Sequence, residues 1–339
     1  MIIVLKPGIS RTDERAVLAQ IRKLGYTPHV MRGVARTVIG AIGDELTHAN
    51  LETLASQFPK SVESVMPIQK RYKLVSREAH PANSTVKVRE NVIGGRKFQI
   101  MAGPCSVESE KQLLTTAEAV KAAGATMLRG GAFKPRTSPY EFQGLGVKGL
   151  KLLAKARKET GLAVITELLS ERHVELVAEY TDIIQIGARN AQNFQLLIAA
   201  ARTGKPVLLK RGLSMKIEEW LLAGEYILAN ENPNLMFCER GIRTFETYTR
   251  NTLDLSTIPI IKRESHCPIV IDPSQGAGRA DLVAAMCKGA VAMGADALLI
   301  EVHPNPATAW SDGSQQVSLD AFGRLMEELK PFIAAAGRE

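Results

Sequence analysis

The sequence predicts an α/β protein: a (β/α)8 TIM barrel preceded by a small α+β ferredoxin-like domain. Three observations support this fold class. From Gln99 onward, eight short apolar runs alternate with stretches of helical spacing. Polar residues follow each of these runs directly, as they do at the mouth of a barrel. Residues 1–70 follow a different order of strands and helices, which indicates a separate small domain.

Composition limits the classes of partner. The chain has 339 residues, 45% hydrophobic and 23% charged, enough for one large domain and one small one. The net charge of +8 is spread along the sequence and aromatic residues make up only 5%, so a small anionic substrate explains the charge as well as nucleic acid does. We therefore predict no nucleic-acid partner.

Cysteine usage and the N-terminus predict the cytoplasm. The four cysteines lack paired CxxC spacing, and the opening MIIVLKPG lacks the flanks of a signal peptide. No apolar run approaches the ~20 residues that a membrane-spanning helix needs, so we predict no membrane partner.

The N-terminal pattern has the order βαββαβ, which is typical of a ferredoxin-like unit. Apolar alternation predicts strands at Met1–Leu5, Pro28–Met31, Thr37–Ile42 and Val62–Met66, with Gly33 between the second and the third. Helical spacing predicts helices at Thr12–Leu24 and Leu51–Phe58. Two interpretations are equally supported: a packing or oligomerisation module, and a small-ligand sensor. Residues 71–85 are predicted as a linker to the large domain, 86–339, which opens with a hairpin of Val86–Val92 and Lys97–Ala102 around Gly94 and Gly95.

The large domain predicts eight parallel strands. They are Gln99–Ala102, Ala125–Arg129, Ala163–Thr166, Asp182–Ile186, Pro206–Lys210, Leu235–Cys238, Pro268–Ile271 and Ala297–Ile300. The predicted helices are Glu108–Ala123, Lys148–Glu159, Arg172–Tyr180, Gln192–Ala201, Ile217–Ala229, Ala280–Met293 and Ser318–Ala335. Strands that are apolar on both faces and alternate with helices favour a closed barrel. A doubly wound open sheet is the alternative, but it usually has a glycine-rich phosphate loop after its first strand, where this chain has Gly103-Pro104-Cys105.

Polar side chains follow every predicted strand. In chain order they are Cys105, Arg129 with Lys134 and Arg136, Glu167, Gln185 with Arg189, Lys210 with Arg211, Glu239 with Arg240, Asp272 with Gln275, and Glu301 with His303. Active sites of TIM barrels lie at the carboxyl ends of the strands. Because folding alone does not require polar residues at this register, the set predicts an active site.

Six cations at the strand ends, and a second group of softer and acidic donors, suggest two kinds of binding site. Arg129, Lys134, Arg136, Arg189, Lys210 and Arg240 are enough for two phosphorylated or carboxylated substrates. The stretch LRGGAFKPRTSPY that carries the first three has a simpler alternative, a solvated basic loop. Cys105, Glu301 and Asp312 predict a divalent-metal site, although individually Cys105 fits a buried small residue and Asp312 a turn former.

Long motifs across the chain resemble the 3-deoxy-D-arabino-heptulosonate 7-phosphate (DAHP) synthases, in the branch with an N-terminal ferredoxin-like domain. They are GPCSVES, RGGAFKPRTSPYEFQGLG, QIGARNAQNF, LLKRG, CERGIRTFE, IDPSQGAGR, EVHPNP and SDG. The resemblance implies a transferase of the shikimate pathway, in aromatic amino-acid biosynthesis. Its reaction condenses phosphoenolpyruvate with erythrose 4-phosphate and water to give DAHP and phosphate.

Residue by residue, the resemblance implies two substrate sites. Arg189, Lys210 and Arg240, with Arg129 and Lys134, would hold phosphoenolpyruvate, whereas Arg136 and Thr137 would hold the aldose phosphate. Lys134 is our candidate for the proton that reaches the aldehyde oxygen, with plain phosphate binding as its competing role.

The resemblance also implies a divalent metal such as Mn²⁺. Its ligands would be Cys105, Glu301 and Asp312, with Gln275 in place of the family's histidine, so that Cys105 and Glu301 join Lys134 as catalytic residues. A glutamine oxygen is a weaker donor than imidazole for the softer transition metals. Two alternatives remain: a synthase for another aldose phosphate, of the octulosonate 8-phosphate type, and a catalytically weakened regulatory paralogue, which the departure at Gln275 motivates. The resemblance further implies a homo-oligomer, a tetramer, with an aromatic amino acid as effector.

Overall fold

The computed structural model describes residues 1–32, 37–42, 48–66 and 71–339, which form two compact units, Met1–Arg71 and Tyr72–Glu339. Among these described residues, no helix combines the length and the apolar character needed to cross a lipid bilayer.

The first unit is a four-stranded antiparallel sheet with helices. Its elements are β1 (Ile2–Leu5), α1 (Arg11–Lys23), β2 (Thr27–Arg32), β3 (Thr37–Ile42), α2 (His48–Glu52), α3 (Leu54–Gln57) and β4 (Val62–Met66). The strand order β2-β3-β1-β4 confirms the ferredoxin-like prediction. The second predicted helix is divided into α2 and α3, and Gly33 lies outside the described residues. Apolar side chains of β1 and α1, including Ile3 and Val17, form the core of this unit.

The segment predicted as a linker belongs, from Tyr72 onward, to the second unit. The side chains of Tyr72 and Val75 are buried, and the Tyr72 hydroxyl donates a hydrogen bond to Glu264. The carboxylate of Glu225 accepts hydrogen bonds from three consecutive backbone N–H groups, those of residues 73–75. These contacts attach the segment to the barrel because its exposed backbone donors find partners there.

The hairpin before the barrel differs from the prediction. It consists of β5 (Val86–Val88) and β6 (Asn91–Ile93), and it turns at Arg89, whose φ is +54°. Val86, Val88 and Ile93 pack with side chains inside the barrel, and the Asn91 amide donates to the carbonyl of Thr126 just before a barrel strand. The apolar residues of the hairpin cover the amino-terminal end of the barrel, and its two strands pair with each other. The predicted partner, Lys97–Ala102, instead contributes to the first barrel strand.

The second unit is a closed barrel of eight parallel strands. They are β7 (Gln99–Gly103), β8 (Met127–Arg129), β9 (Ala163–Leu168), β10 (Ile183–Ile186), β11 (Val207–Lys210), β12 (Leu235–Glu239), β13 (Ile269–Ile271) and β14 (Ala297–Glu301). Strand β14 pairs with β7 and closes the barrel. The predicted TIM barrel is confirmed, and all eight predicted strands are present.

Helices surround the barrel. They are α4 (Glu110–Ala122), α5 (Val147–Thr160), α6 (Val174–Tyr180), α7 (Phe194–Arg202), α8 (Ile217–Leu228), α9 (Thr257–Glu264), α10 (Pro273–Ala277), α11 (Ala280–Ala292) and α12 (Leu319–Ala335). Short 3₁₀ turns lie at Glu171–His173, Ala188–Asn190, Pro306–Thr308 and Gly313–Gln315. Helices α9 and α10 were not predicted from the sequence. Pro259 made a helix at this place an unfavourable prediction, but it lies in the first turn of α9, where a proline ring is tolerated.

Alternation along the strands separates two layers of core. Side chains such as Met101, Met127 and Leu208 fill the barrel interior, whereas Ile100, Leu128 and Leu209 pack against the helices. At Gly103, where φ is +154°, a Cβ atom would lie 2.1 Å from the carbonyl oxygen of Arg129. Strands β7 and β8 therefore approach closely at their carboxyl ends, beside the region where the polar residues collect.

Candidate active site

A cavity of about 360 Å³ lies at the carboxyl ends of the barrel strands. Seven of its lining side chains are Lys or Arg, whereas three are Asp or Glu. Of the predicted site residues, those that line it are Lys134, Arg136, Thr137, Arg189, Lys210, Arg240, Gln275 and Asp312. The cavity therefore has the positive charge that two phosphorylated substrates need.

The other predicted site residues, Cys105, Arg129 and Glu301, are buried beside this cavity. The Arg129 guanidinium lies 3.2 Å from the Glu301 carboxylate and donates a hydrogen bond to the carbonyl of Pro104. Among the predicted cations, Arg129 is therefore paired, as are Lys210 with Asp272 and Arg136 with Glu141. Three of the six predicted cations therefore have carboxylate partners within the protein.

Further residues line the cavity although they were not among the predicted site residues, among them Glu167, Arg243 and Arg250. Glu167 is the polar residue that follows the third predicted strand, so its strand-end position was the available indication. Arg243 and Arg250 lie in the loop after β12, which has no periodic pattern to show which way its side chains point. Arg250 donates to Asp312 at 3.2 Å and to Gln315 at 3.1 Å.

The predicted metal ligands come together. The sulfur of Cys105 and carboxylate oxygens of Glu301 and Asp312 all lie within 4.8 Å of one another. One oxygen of Glu301 accepts from the Gln315 amide at 2.7 Å, whereas the other, Oε1, is buried, lies 3.2 Å from the Arg129 guanidinium and accepts no hydrogen bond in the described part of the chain. A thiolate with two carboxylates suits a divalent transition metal, and a carboxylate oxygen that accepts no hydrogen bond can serve as one of its ligands. The three residues therefore fit a metal ion.

Lys134 joins this group of ligands to the cavity. Its ammonium lies 2.9 Å from the sulfur of Cys105, and the thiol lies 3.2 Å from Asp312 Oδ2. Burial raises the pKa of the Cys105 thiol to about 12, and Glu301 acts in the same direction while Lys134 opposes both. The thiol is therefore protonated at neutral pH, and a metal ion must displace this proton when it binds.

The two charged neighbours of the thiol keep their usual ionisation. Burial by itself would lower the pKa of the Lys134 ammonium, but Cys105 and Glu301 raise it above its ordinary value. Burial would raise the pKa of the Asp312 carboxyl, but Lys134 and Arg250 bring it below its ordinary value. Lys134 is consequently a proton donor, and Asp312 a carboxylate, at neutral pH.

The side chain of Gln275 contacts two of the predicted cations. Its amide oxygen accepts hydrogen bonds from Lys210 at 3.3 Å and from Arg240 at 3.3 and 3.4 Å. Lys210 also contacts Asp272 at 2.5 Å, whereas Arg189 is exposed at the cavity. Lys210, Arg240 and Arg189 are the candidate anion-binding group, and the Gln275 oxygen contacts the first two of them.

Other strand-end residues hold the loops. Arg211 lies 2.9 Å from both Glu239 and Asp254 and donates to the hydroxyl of Thr257. A second pair, His303 and Glu108, is buried at 3.2 Å, and Glu108 also accepts from the backbone of residue 310. These pairs connect separate loops and lie outside the lining of the cavity, so the strand-end rule selected structural residues along with functional ones.

Comparison with known proteins follows the same division. Residues 79–335 match the model of the DAHP synthetase I family, and residues 1–70 match that of the DAHP synthase ferredoxin-like domain. Phospho-2-dehydro-3-deoxyheptonate aldolase of Thermotoga maritima is 50% identical over 339 residues, 99% of each chain. A 2-dehydro-3-deoxyphosphooctonate aldolase of Caulobacter vibrioides is 34% identical over 260 residues, covering 71% of this chain and 89% of its own.

Solved structures agree. A crystal structure of the Thermotoga maritima phospho-2-dehydro-3-deoxyheptonate aldolase (DAHP synthase) superposes with a TM-score of 0.88 and 49% identity, covering 100% of this chain and 98% of that one. A truncated form of the Thermotoga maritima synthase covers 79% of this chain and 98% of its own, with a TM-score of 0.75 and 48% identity. The fold, both domain matches and the full-length similarity together show that this chain belongs to the DAHP synthetase I family.

Proposed function

We propose that this chain condenses phosphoenolpyruvate with erythrose 4-phosphate and water, and releases DAHP and phosphate. The observation that carries the proposal is the position of Lys134, whose ammonium lines the cation-rich cavity and lies 2.9 Å from Cys105 in the metal-ligand group. The residues proposed to bind the two anions therefore lie beside the residues proposed to activate the aldehyde. Membership of the family supports the same reaction.

Two anionic substrates repel each other, so the site must hold both against that repulsion. We assign the phosphate and carboxylate of phosphoenolpyruvate to Arg189, Lys210 and Arg240, with Arg129 and Lys134 behind them. Arg136 and Thr137, on the loop after β8, take the phosphate of the aldose. Six cations in one small volume reduce the electrostatic cost of bringing the two substrates together.

In the reaction, the methylene carbon of phosphoenolpyruvate forms a bond with the aldehyde carbon, and the aldehyde oxygen gains a proton. Lys134, which stays protonated, donates this proton. Water then adds at the enol carbon, and phosphate leaves as its carbon–oxygen bond breaks. When a divalent ion such as Mn²⁺ is bound by Cys105, Glu301 and Asp312, it supplies Lewis-acid stabilisation of the negative charge that develops on the aldehyde oxygen.

A second candidate reaction uses a different aldose phosphate. It is favoured by the 34% identity to a 2-dehydro-3-deoxyphosphooctonate aldolase. A third candidate, a weakened regulatory paralogue, is favoured by Gln275, which stands where the family motif has histidine. Both share the anion-binding cavity, so they differ from the leading proposal in turnover and in the aldose.

An assay of phosphate release from phosphoenolpyruvate separates the three. We expect release with erythrose 4-phosphate and none with a five-carbon aldose phosphate, loss of turnover after chelation, and recovery with added Mn²⁺. Release with only the five-carbon sugar would favour the second candidate. Absence of turnover with either sugar in the presence of Mn²⁺ would favour the third.

We further propose that residues 1–70 are a regulatory domain that senses an aromatic amino acid, and that the chain assembles as a homotetramer in the cytoplasm. The match of these residues to the DAHP synthase ferredoxin-like domain supports the regulatory role.

A further inference from the structure

Gln275 is held by its backbone at the edge of the cavity. It lies in α10, where its N–H donates to the Asp272 carboxylate at 2.9 Å and its C=O accepts from the Asn251 amide at 2.9 Å. Both backbone groups are therefore satisfied by side chains from different parts of the chain. The direction in which the Gln275 side chain leaves the helix is consequently well determined.

The side-chain oxygen of Gln275 is shared by two cations. Lys210 Nζ donates to it at 3.3 Å, and Arg240 donates through Nη2 at 3.3 Å and Nε at 3.4 Å. Lys210 and Arg240 are both buried, so this oxygen offsets part of the repulsion between them. An amide oxygen has two lone pairs, and three N–H groups already point at it.

The hydrogen bonds of this oxygen go to the cations. Cys105, Glu301 and Asp312 have their sulfur and oxygen atoms within 4.8 Å of one another, whereas the Gln275 oxygen accepts from Lys210 and Arg240. For Gln275 to ligate a metal ion, its oxygen would have to leave Lys210 and Arg240. That move would remove the hydrogen-bond acceptor that two buried cations share while a third cation arrived.

We propose that Gln275 belongs to the anion-binding group, where it positions Lys210 and Arg240 for a phosphate or carboxylate, and that the metal centre has only three protein ligands, Cys105, Glu301 and Asp312. The proposal rests on the proposed function for the identity of the anion, phosphoenolpyruvate. It reassigns Gln275 from the metal site, where the sequence motif put it, to substrate binding.

A neutral amide suits this role for a physical reason. Lys210 is already paired with Asp272, so a second carboxylate beside it would cancel the charge that attracts the substrate. The amide accepts hydrogen bonds and orders both cations without changing the net charge. Gln275 is thus a positioning residue that acts through Lys210 and Arg240.

The experiment compares the full-length protein with Gln275→Met, a side chain of similar length without a strong acceptor. Co²⁺ binding is followed by thiolate-to-cobalt absorption, and binding of phosphoenolpyruvate and of inorganic phosphate to the metal-free protein is measured by calorimetry. We expect unchanged Co²⁺ affinity and about 10-fold weaker binding of both anions, the scale of one lost hydrogen bond to a charged group. Cys105→Ala is the matched control, and it should lose the cobalt absorption.

The opposite pattern, Co²⁺ affinity about 10–100-fold weaker with anion binding unchanged, would show that Gln275 is a metal ligand and overturn the proposal. Weakening of both, or of neither, would overturn it as well. If the unmodified protein binds inorganic phosphate but not phosphoenolpyruvate, the proposed substrate is wrong, and the phosphate titration still decides the role of Gln275. Gln275→Ala, measured in the same way, replaces the methionine variant if that variant does not fold.

Discussion

The ammonium of Lys134 lies 2.9 Å from the sulfur of Cys105, and both side chains are buried. Cys105 follows the first barrel strand, whereas Lys134 belongs to the loop after the second. Closure of the barrel brings the proposed proton donor against a proposed metal ligand, and Asp312 reaches the same sulfur from the loop after the last strand. We therefore propose that substrate binding and metal binding are coupled through the side chain of Lys134.

Replacement of Lys134 by methionine tests this coupling. Lys134→Met keeps the length of the side chain but removes the proton, so we expect kcat to fall about 100-fold or more, the usual range for loss of a general acid. Steady-state kinetics with both substrates provide the measurement, and thermal unfolding checks the fold. A rise in KM with unchanged kcat would instead mean that Lys134 only binds phosphate.

Arg189 offers a clean test of the anion site because its side chain is exposed at the cavity. Arg189→Ala should weaken phosphoenolpyruvate binding by about 10- to 100-fold, the scale of a lost hydrogen bond to a charged group, without destabilising the barrel. Calorimetry measures the affinity, and Arg202→Ala, an exposed arginine at the end of α7, is the control. Equal affinity in the two variants would refute the assignment.

Lys210→Ala should also remove phosphoenolpyruvate binding, but it carries a stability cost that Arg189→Ala avoids. Lys210 is buried and lies 2.5 Å from Asp272, so its truncation leaves a buried carboxylate unpaired. We expect a loss of about 3–5 kcal/mol in the free energy of unfolding. Denaturant titration checks this value, and an unfolding free energy equal to that of Arg189→Ala would contradict the buried pair.

His266 predicts how stability depends on pH. Its Nε2 lies 2.8 Å from the carbonyl of Leu74 and its Nδ1 lies 2.7 Å from the Ser84 hydroxyl. Burial lowers the pKa of the imidazole below its ordinary value, with smaller contributions from the Leu74 carbonyl, which opposes the shift, and from His80 and Arg77, which add to it. The neutral ring is therefore the form that holds the 72–84 segment on the barrel.

The sign follows from proton binding. Below the unfolded pKa of about 6.5, the unfolded chain takes up a proton at His266 that the folded chain resists, so the free energy of unfolding falls as the pH drops through this window. His266→Gln should flatten that decline between pH 7.5 and the folded pKa. Unfolding curves at several pH values measure it, with the exposed His29→Gln as control. The same slope in the native protein and His266→Gln would exclude His266 as the cause.

Removal of the N-terminal unit tests the proposed regulation. Because the chain divides between Arg71 and Tyr72, we expect a protein that begins at Tyr72 to fold and to keep its turnover while losing any response to tyrosine or phenylalanine. The truncated Thermotoga maritima structure shows that a relative of this length folds. If the full-length enzyme is indifferent to both amino acids, the first unit has a structural role.

Local pattern was sufficient for most of the fold. The eight barrel strands and the order of the ferredoxin-like unit follow from spacing within ten to twenty residues, because burial of a strand or of a helix face repeats along contiguous sequence. Prediction failed where a neighbouring element decided the outcome. The hairpin at Val86–Ile93 turns at Arg89 and not at the glycine pair because its apolar residues fill the end of the barrel.

The candidate site divides in the same way. The residue types at the strand ends, and hence a cation-lined cavity with a thiol and carboxylates beside it, were determined by sequence alone, because parallel strands in a barrel bring their carboxyl ends to one face. Sequence could not determine partners. Arg211 pairs with Glu239, and His303 pairs with Glu108. Arg250 donates to Asp312, and the Gln275 oxygen accepts from Lys210 and Arg240. These choices depend on distances between residues far apart in the chain, which exist only once the barrel has closed.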